Sequence, residues 1–230
     1  MDSIAQNSLE CEQAYELAIS GKFPTADEAI AFLETFQGKC AKNLIFQSRL
    51  AALYFIYGRA DEAEKLIQEG LSIDPTHKEL LFSLGDIRLK QRDLDAVVAI
   101  ASRIIEFHPE ACSGYYLMQL GLIYAGRYEE SIPYGREAMK REETPAFWLN
   151  ESVACFQTGR YEQCAQSAYH AIQLDPKVLE NRWGMNEAIY ALGNLGRDDE
   201  ALKLALRRKE VTENWQDDPV FMKALTLLTT

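Results

Sequence analysis

Apolar residues recur at three- and four-residue intervals through most of the chain, while strict apolar/polar alternation over strand-length runs is nearly absent. Ala, Leu, Glu, Lys and Gln fill the periodic stretches, and all are good helix formers. The pattern therefore predicts an all-α protein. Helices are expected near Ile4–Ser20 and Ala26–Phe36, separated by Gly21-Lys22-Phe23-Pro24-Thr25, and then in regular succession from Leu44 onward.

Two marks punctuate that succession. Ile73-Asp74-Pro75, Phe107-His108-Pro109 and Leu174-Asp175-Pro176 each place an apolar and a polar residue before proline, with the first two prolines 34 residues apart. About half a repeat before each proline site comes a turn mark: Gly58-Arg59, Gly126-Arg127, Gly159-Arg160 and Gly196-Arg197, with Arg92-Asp93 in the matching place of the second unit. Glycine accepts the left-handed backbone that closes a helix, and the acidic residues after it suit the start of the next. Proline then ends that second helix, since it can neither donate to the ladder nor continue it. Each unit is thus a helix–turn–helix.

Units of this kind with a period of about 34 residues resemble the tetratricopeptide repeat family. On that resemblance the first clear unit runs from Leu44, with Leu50, Ala51, Tyr54, Gly58, Ala63, Ile67 and Pro75 in signature places. Later units begin at Lys78, Cys112, Pro145 and about Arg182. Gln119 and Ile189 stand where a small residue is usual, Glu143 replaces the proline, and Arg92 replaces the turn glycine. Pro133 falls just past the first turn of its helix, which predicts a late start or a bend there. Three additional residues separate the last two units. The expected organisation is a degenerate helical pair at 1–43, about five repeats at 44–215 and a capping helix at 216–230, where Asp218-Pro219 is a helix-start signal.

The resemblance implies a right-handed superhelical solenoid of antiparallel helix pairs, whose first helices line a concave groove for a partner's peptide or helix. Its groove-facing positions fall on Ser48, Ala52 and Phe55; Phe82, Asp86 and Leu89; Tyr116, Leu120, Ile123 and Tyr124; Leu149, Val153 and Phe156; and Trp183, Asn186 and Tyr190. The set is mostly apolar and aromatic, which suits capture of an extended or amphipathic helical segment by side-chain burial. Some domains of the family grip a terminal carboxylate with Lys, Asn and Arg. The corresponding positions here are Ser48, Ala52, Ser83, Ser113 and Leu117, so that clamp is missing. The expected role is a scaffold or adaptor of chaperone-like kind, with a homo-oligomeric assembly module or a non-catalytic regulatory subunit as alternatives.

Charge and chemistry narrow the picture further. Among 230 residues the formal net charge is −11, which disfavours nucleic acid as partner. The basic clusters Lys140-Arg141 and Arg207-Arg208-Lys209 sit where helices should end, in keeping with the helix dipole. Cys11, Cys40, Cys112, Cys155 and Cys164 show no CxxC pair or zinc spacing, and are expected to be reduced thiols of a cytoplasmic protein. Neither a signal peptide nor a membrane span is evident. No phosphate-loop, dinucleotide, zinc-protease or nucleophile-elbow motif occurs, so neither a cofactor nor an enzyme is expected. His77, His108 and His170 are widely separated, and Glu129-Glu130, Asp198-Asp199 and Glu142-Glu143 read as solvated carboxylates.

Overall fold

The computed structural model describes residues 2–211, together with 222 and 226; of residues 2–7 only the backbone is described. The capping helix expected at 216–230 lies outside the described residues. Within them the secondary structure is helical, with no strand. The helices are α1 (Asp2–Ile19), α2 (Ala26–Glu34), α3 (Leu44–Ile56), α4 (Ala60–Ile73), α5 (Lys78–Lys90), α6 (Leu94–Phe107), α7 (Cys112–Tyr124) and α8 (Tyr128–Met139). They continue as α9 (Pro145–Gln157), α10 (Tyr161–Leu174), a 3-10 turn (Pro176–Glu180), α11 (Met185–Asn194) and α12 (Asp198–Val211).

The chain divides into two compact units, 1–109 and 110–230. In the first, α3 packs on α4, α5 on α6, and α3 and α4 both touch α5, while α1 and α2 pack on each other and on α3. In the second, α7–α8, α9–α10 and α11–α12 are the tight pairs, and α7, α9 and α11 follow one another through α7–α9 and α9–α11 contacts. Helices joined by turns this short must run antiparallel.

One turn geometry closes all five pairs from α3 onward. The amide after the turn residue bonds back to a carbonyl five residues earlier: Arg59 to Tyr54 at 2.8 Å, Asp93 to Arg88 at 3.0 Å, Arg127 to Leu122 at 2.8 Å, Arg160 to Cys155 at 2.8 Å and Arg197 to Leu192 at 2.9 Å. Such a cap needs a left-handed residue, supplied by glycine four times and by Arg92, with φ +62°, once. Three of the arginines that follow a turn glycine have a further job. Arg59 and Arg197 reach back to Glu34 and Glu162 of the preceding helix pair at 2.9 Å each, and Arg160 pairs likewise with Glu129. These exposed pairs add register more than stability.

Alanines make the close packing possible: Ala63, Ala168, Ala171, Ala201 and Ala205 are fully buried between helices. Where a large residue replaces a small one, a glycine on the facing helix makes room. Gln119 of α7 lies so close to Gly135 of α8 that a Cβ there would collide with its amide nitrogen. Gly70 of α4 likewise leaves room for Gln47 of α3, with 2.5 Å from a Cβ to the Gln47 oxygen.

Several expectations are corrected. α8 starts at Tyr128, so the late-start alternative expected from Pro133 does not occur, and the proline lies inside the helix. The additional residues before α11 form the 3-10 turn, after which Gly184, at φ +80°, sets the helix start at Met185. Cys11 and Cys40 are not free thiols. They form a disulfide, because α1 and the loop after α2 bring their Cα atoms to 6.0 Å, and only Cys112, Cys155 and Cys164 stay reduced. Arg208 lies in the last turn of α12, where the helix dipole favours it, and is also buried at 1 % exposure, with its guanidinium donating to Asn186 Oδ1 at 2.5 Å.

Candidate functional site

Helical spacing puts residues three or four apart on one face, and the first helix of each pair carries the candidate positions, except Trp183, which lies in the turn before α11. In the first unit, Phe55 of α3 and Phe82, Asp86 and Leu89 of α5 are all partly accessible. The Lys90 ammonium lies 4.9 Å from the centre of the Phe55 ring, which ties the two helices together across this face.

Asp86 stands out electrostatically. It makes no ion pair or hydrogen bond among the described residues, and burial alone pushes its carboxyl from the ordinary value of 3.8 up to about 6. The cations of α5, and those of α3 and α6, have other partners. Arg88 bonds Glu64 of α4 at 2.9 and 2.5 Å, Lys90 sits over Phe55, and Lys78 lies 3.6 Å from Glu79. On α3, Arg49 faces Glu16 at 4.0 Å; on α6, Arg103 donates to the Pro75 carbonyl at 2.7 Å.

The sign of the linkage follows from that raised value. The folded protein holds the Asp86 proton more tightly than the unfolded chain, so this residue's contribution is full below about pH 4 and is lost as pH rises through about 6. Asp86→Asn is therefore expected to raise the melting temperature at pH 7 and to leave it nearly unchanged at pH 4. Thermal melts of both proteins across that range check it.

In the second unit the candidate residues form an aromatic series across α7, α9 and α11. Tyr116 lies 5.1 Å from Phe147, Phe156 lies 6.4 Å from Tyr190, and Tyr124 stacks on Trp183 at 5.5 Å and 27°. Beneath them runs a polar ladder: Trp183 Nε1 donates to Asn150 at 2.8 Å, and Asn150 Nδ2 donates to Gln119 Oε1 at 3.2 Å. The remaining donor of Gln119 is buried without a partner. Tyr116, Leu120, Phe156, Trp183 and Tyr190 are partly accessible and Tyr124 is exposed.

Other positions of the expected set lie inside. Ile123 is 3 % and Leu149 2 % exposed, Asn186 is held by Arg208, and Ser48 and Val153 are buried too. The cause is the packing of successive first helices, which covers the flank of each that turns toward its neighbour. Leu149 illustrates this, since its backbone lies directly against Gly184. Sequence reasoning missed the solitude of Asp86, the polar ladder and the Arg208–Asn186 contact, because each depends on which groups meet between helices.

The histidines do not converge. His77 lies 3.4 Å from Glu79, His108 Nε2 is 2.7 Å from the Thr76 carbonyl, and His170 is 3.1 Å from Glu143 and packs on Trp148. Burial holds the Cys155 and Cys164 thiols up at about 11 and about 12, far from the thiolate a nucleophile needs. Among the described residues no three His, Cys, Asp or Glu side chains are grouped to hold a metal, and no helix is long and apolar enough to cross a membrane.

Comparison with known proteins agrees with this architecture. The tetratricopeptide repeat pattern matches residues 145–178, which are α9, α10 and the start of the 3-10 turn. No curated protein sequence matches the chain. Among solved structures, the tetratricopeptide protein TTC0263 of Thermus thermophilus is similar over 81 % of this chain and 100 % of its own, at 18 % identity and a TM-score of 0.62. YrrB, described as a tetratricopeptide protein with an unusual peptide-binding site, is similar over 84 % of this chain and 97 % of its own, at 11 % identity and a TM-score of 0.62. MamA from Desulfovibrio magneticus is similar over 73 % of this chain and 94 % of its own, at 13 % identity and a TM-score of 0.63. Identities this low carry the fold and nothing finer. The repeat matched in α9–α10 and the same helix–turn–helix in the pairs from α3 to α12 give this chain the tetratricopeptide-repeat fold.

Proposed function

We propose that this chain is a non-catalytic scaffold that takes an extended or helical segment of a partner protein on the accessible faces of its first helices. The division behind this reading is a degenerate pair through residue 43 and repeats from 44. The observation that carries it is the row of accessible apolar and aromatic side chains: Phe55, Phe82 and Leu89 in one unit, and Tyr116, Leu120, Phe156 and Tyr190 in the other. Side chains of this size cost free energy when left in water, roughly 1.5–3 kcal/mol each relative to full burial, and a partner segment that covers them recovers part of it. The fold supports the reading, since tetratricopeptide repeats serve generally as interaction scaffolds. Thiols with raised pKa and scattered histidines supply no nucleophile–base pair that would favour catalysis. A cytoplasmic location fits this role if the Cys11–Cys40 bond is shielded from reductants, and both sulfur-bearing residues are 1 % exposed.

The test is a set of single substitutions on the two faces. Phe82→Arg and Tyr116→Ala should each cut capture of the native partner at least tenfold while the helical circular dichroism spectrum is unchanged. Ser102→Arg, on the exposed side of α6, should leave capture intact. Unfolding by the first two substitutions, or equal capture by all three, would contradict the proposal.

A further inference from the structure

Asp86 occupies an unusual setting for an acid. On α5 it stands four residues after Phe82, three before Leu89 and four before Lys90, and Lys90 is drawn to the Phe55 ring of α3. Helical spacing sets Phe82 and Leu89 on the same face of α5 as Asp86, its carboxylate pairs with no described cation, and the cations of α3, α5 and α6 have other partners. A lone carboxylate on such a face lacks the companion ligands that a metal requires, and among the described residues no metal-holding group exists. What it lacks is a single cation on an apolar stem.

We propose that Asp86 is the ionic anchor for a Lys or Arg side chain of the partner segment, whose apolar neighbours pack on Phe55, Phe82 and Leu89. This inference rests on the binding role proposed above and names the partner's chemistry: an amphipathic segment with one basic residue flanked by apolar ones at helical spacing. Lys and Arg suit the site because their methylene stems lie along apolar surface while the head reaches the charge. The chain's net charge of −11 draws a basic segment toward it from a distance. The fold supplies the converse of a clamp for acidic peptide ends, because Ser48, Ala52, Ser83, Ser113 and Leu117 offer no cation for a carboxylate. In the free protein the anchor is a cost, since the carboxylate is desolvated without a counter-charge; in the complex the partner's cation removes that cost.

A random twelve-residue peptide library displayed on phage, selected against the full chain, tests the assignment. The wild type should enrich peptides with a Lys or Arg between apolar residues. Asp86→Asn should lose that preference, and Asp86→Lys should exchange it for Asp or Glu. A selected peptide, synthesised and labelled, should bind Asp86→Asn roughly tenfold or more weakly by fluorescence anisotropy, as expected for one charge-assisted hydrogen bond. Replacing its basic residue by norleucine should abolish the difference. Unaltered circular dichroism, with the higher melting temperature expected of Asp86→Asn at pH 7, shows that the variant is folded. If wild type and Asp86→Asn enrich the same peptides with equal affinity, the anchor is refuted; the binding face itself survives when Phe82→Ala or Leu89→Ala weakens those peptides, and falls with it when neither does. A library that yields no binder overturns both. A dimer of the free chain by light scattering that Asp86→Lys dissolves would assign the face to a second copy and overturn the peptide anchor.

Discussion

Gly184→Ala is expected to destabilise the protein by about 2–5 kcal/mol, although it adds one methyl group. Two costs combine. The residue sits at φ +80°, where an L side chain is disfavoured by roughly 1–2 kcal/mol. The new Cβ would also stand 2.8 Å from the Leu149 carbonyl oxygen and 3.0 Å from its Cα, and overpacking of this kind typically costs about 1–3 kcal/mol. Backbone atoms cannot swing aside as a side-chain tip can. Gly184 is also pinned by its own hydrogen bonds, donating to Glu187 Oε2 at 2.9 Å and accepting from Ser152 Oγ at 3.0 Å. Gly193→Ala makes the control. It lies inside α11 with nothing within 4 Å of where its Cβ would stand, so it should be neutral or stabilise by about 0.5–1 kcal/mol. Urea unfolding, followed by far-UV circular dichroism and Trp fluorescence, checks the pair. A Gly184→Ala protein within about 0.5 kcal/mol of wild type would show that α11 approaches Leu149 more loosely than these distances require.

The second large effect concerns the N-terminal helical pair. Reducing Cys11–Cys40, or replacing both by serine, should lower stability by about 3–4 kcal/mol, the loop-closure value for a cross-link of this span. The bond closes a loop of sequence separation 29 between α1 and the segment after α2. Both residues are 1 % exposed, and α1 has few other ties, packing chiefly on α2 and α3. The loss should therefore appear first as faster amide exchange in α1. Under denaturing, non-reducing conditions the wild-type mass should be lower by two hydrogens than after reduction. Equal stability of oxidised and reduced protein would contradict this role.

What could be read in the sequence and what could not follow a physical division. Helix ends are local chemistry, so Gly58, Gly126, Gly159 and Gly196 announced their turns, and even Arg92 fell in the left-handed slot the phase demanded. Facing between helices is not local. A helix turns about 100° per residue, so a small error in orientation carries a side chain from the open face to the core. That is why Ile123 and Leu149 lie inside while Tyr124 and Phe156 remain accessible. The Gln119–Gly135 pair had a visible half, a large residue at a small position, but the compensating glycine sits on another helix, and the Gln47–Gly70 pair had no such mark. Arg208 and the Cys11–Cys40 bond escaped for the same reason. Asp86 was readable as a position and not as an unpaired charge, because its isolation depends on where the surrounding cations point.

The claim that the first helices carry the binding face is tested most directly by hydrogen–deuterium exchange with and without a bound partner segment. Added protection in α3 and α5, or in α7, α9 and α11, with α4, α6, α8 and α10 unchanged, is the predicted result. Protection concentrated on the second helices would contradict it.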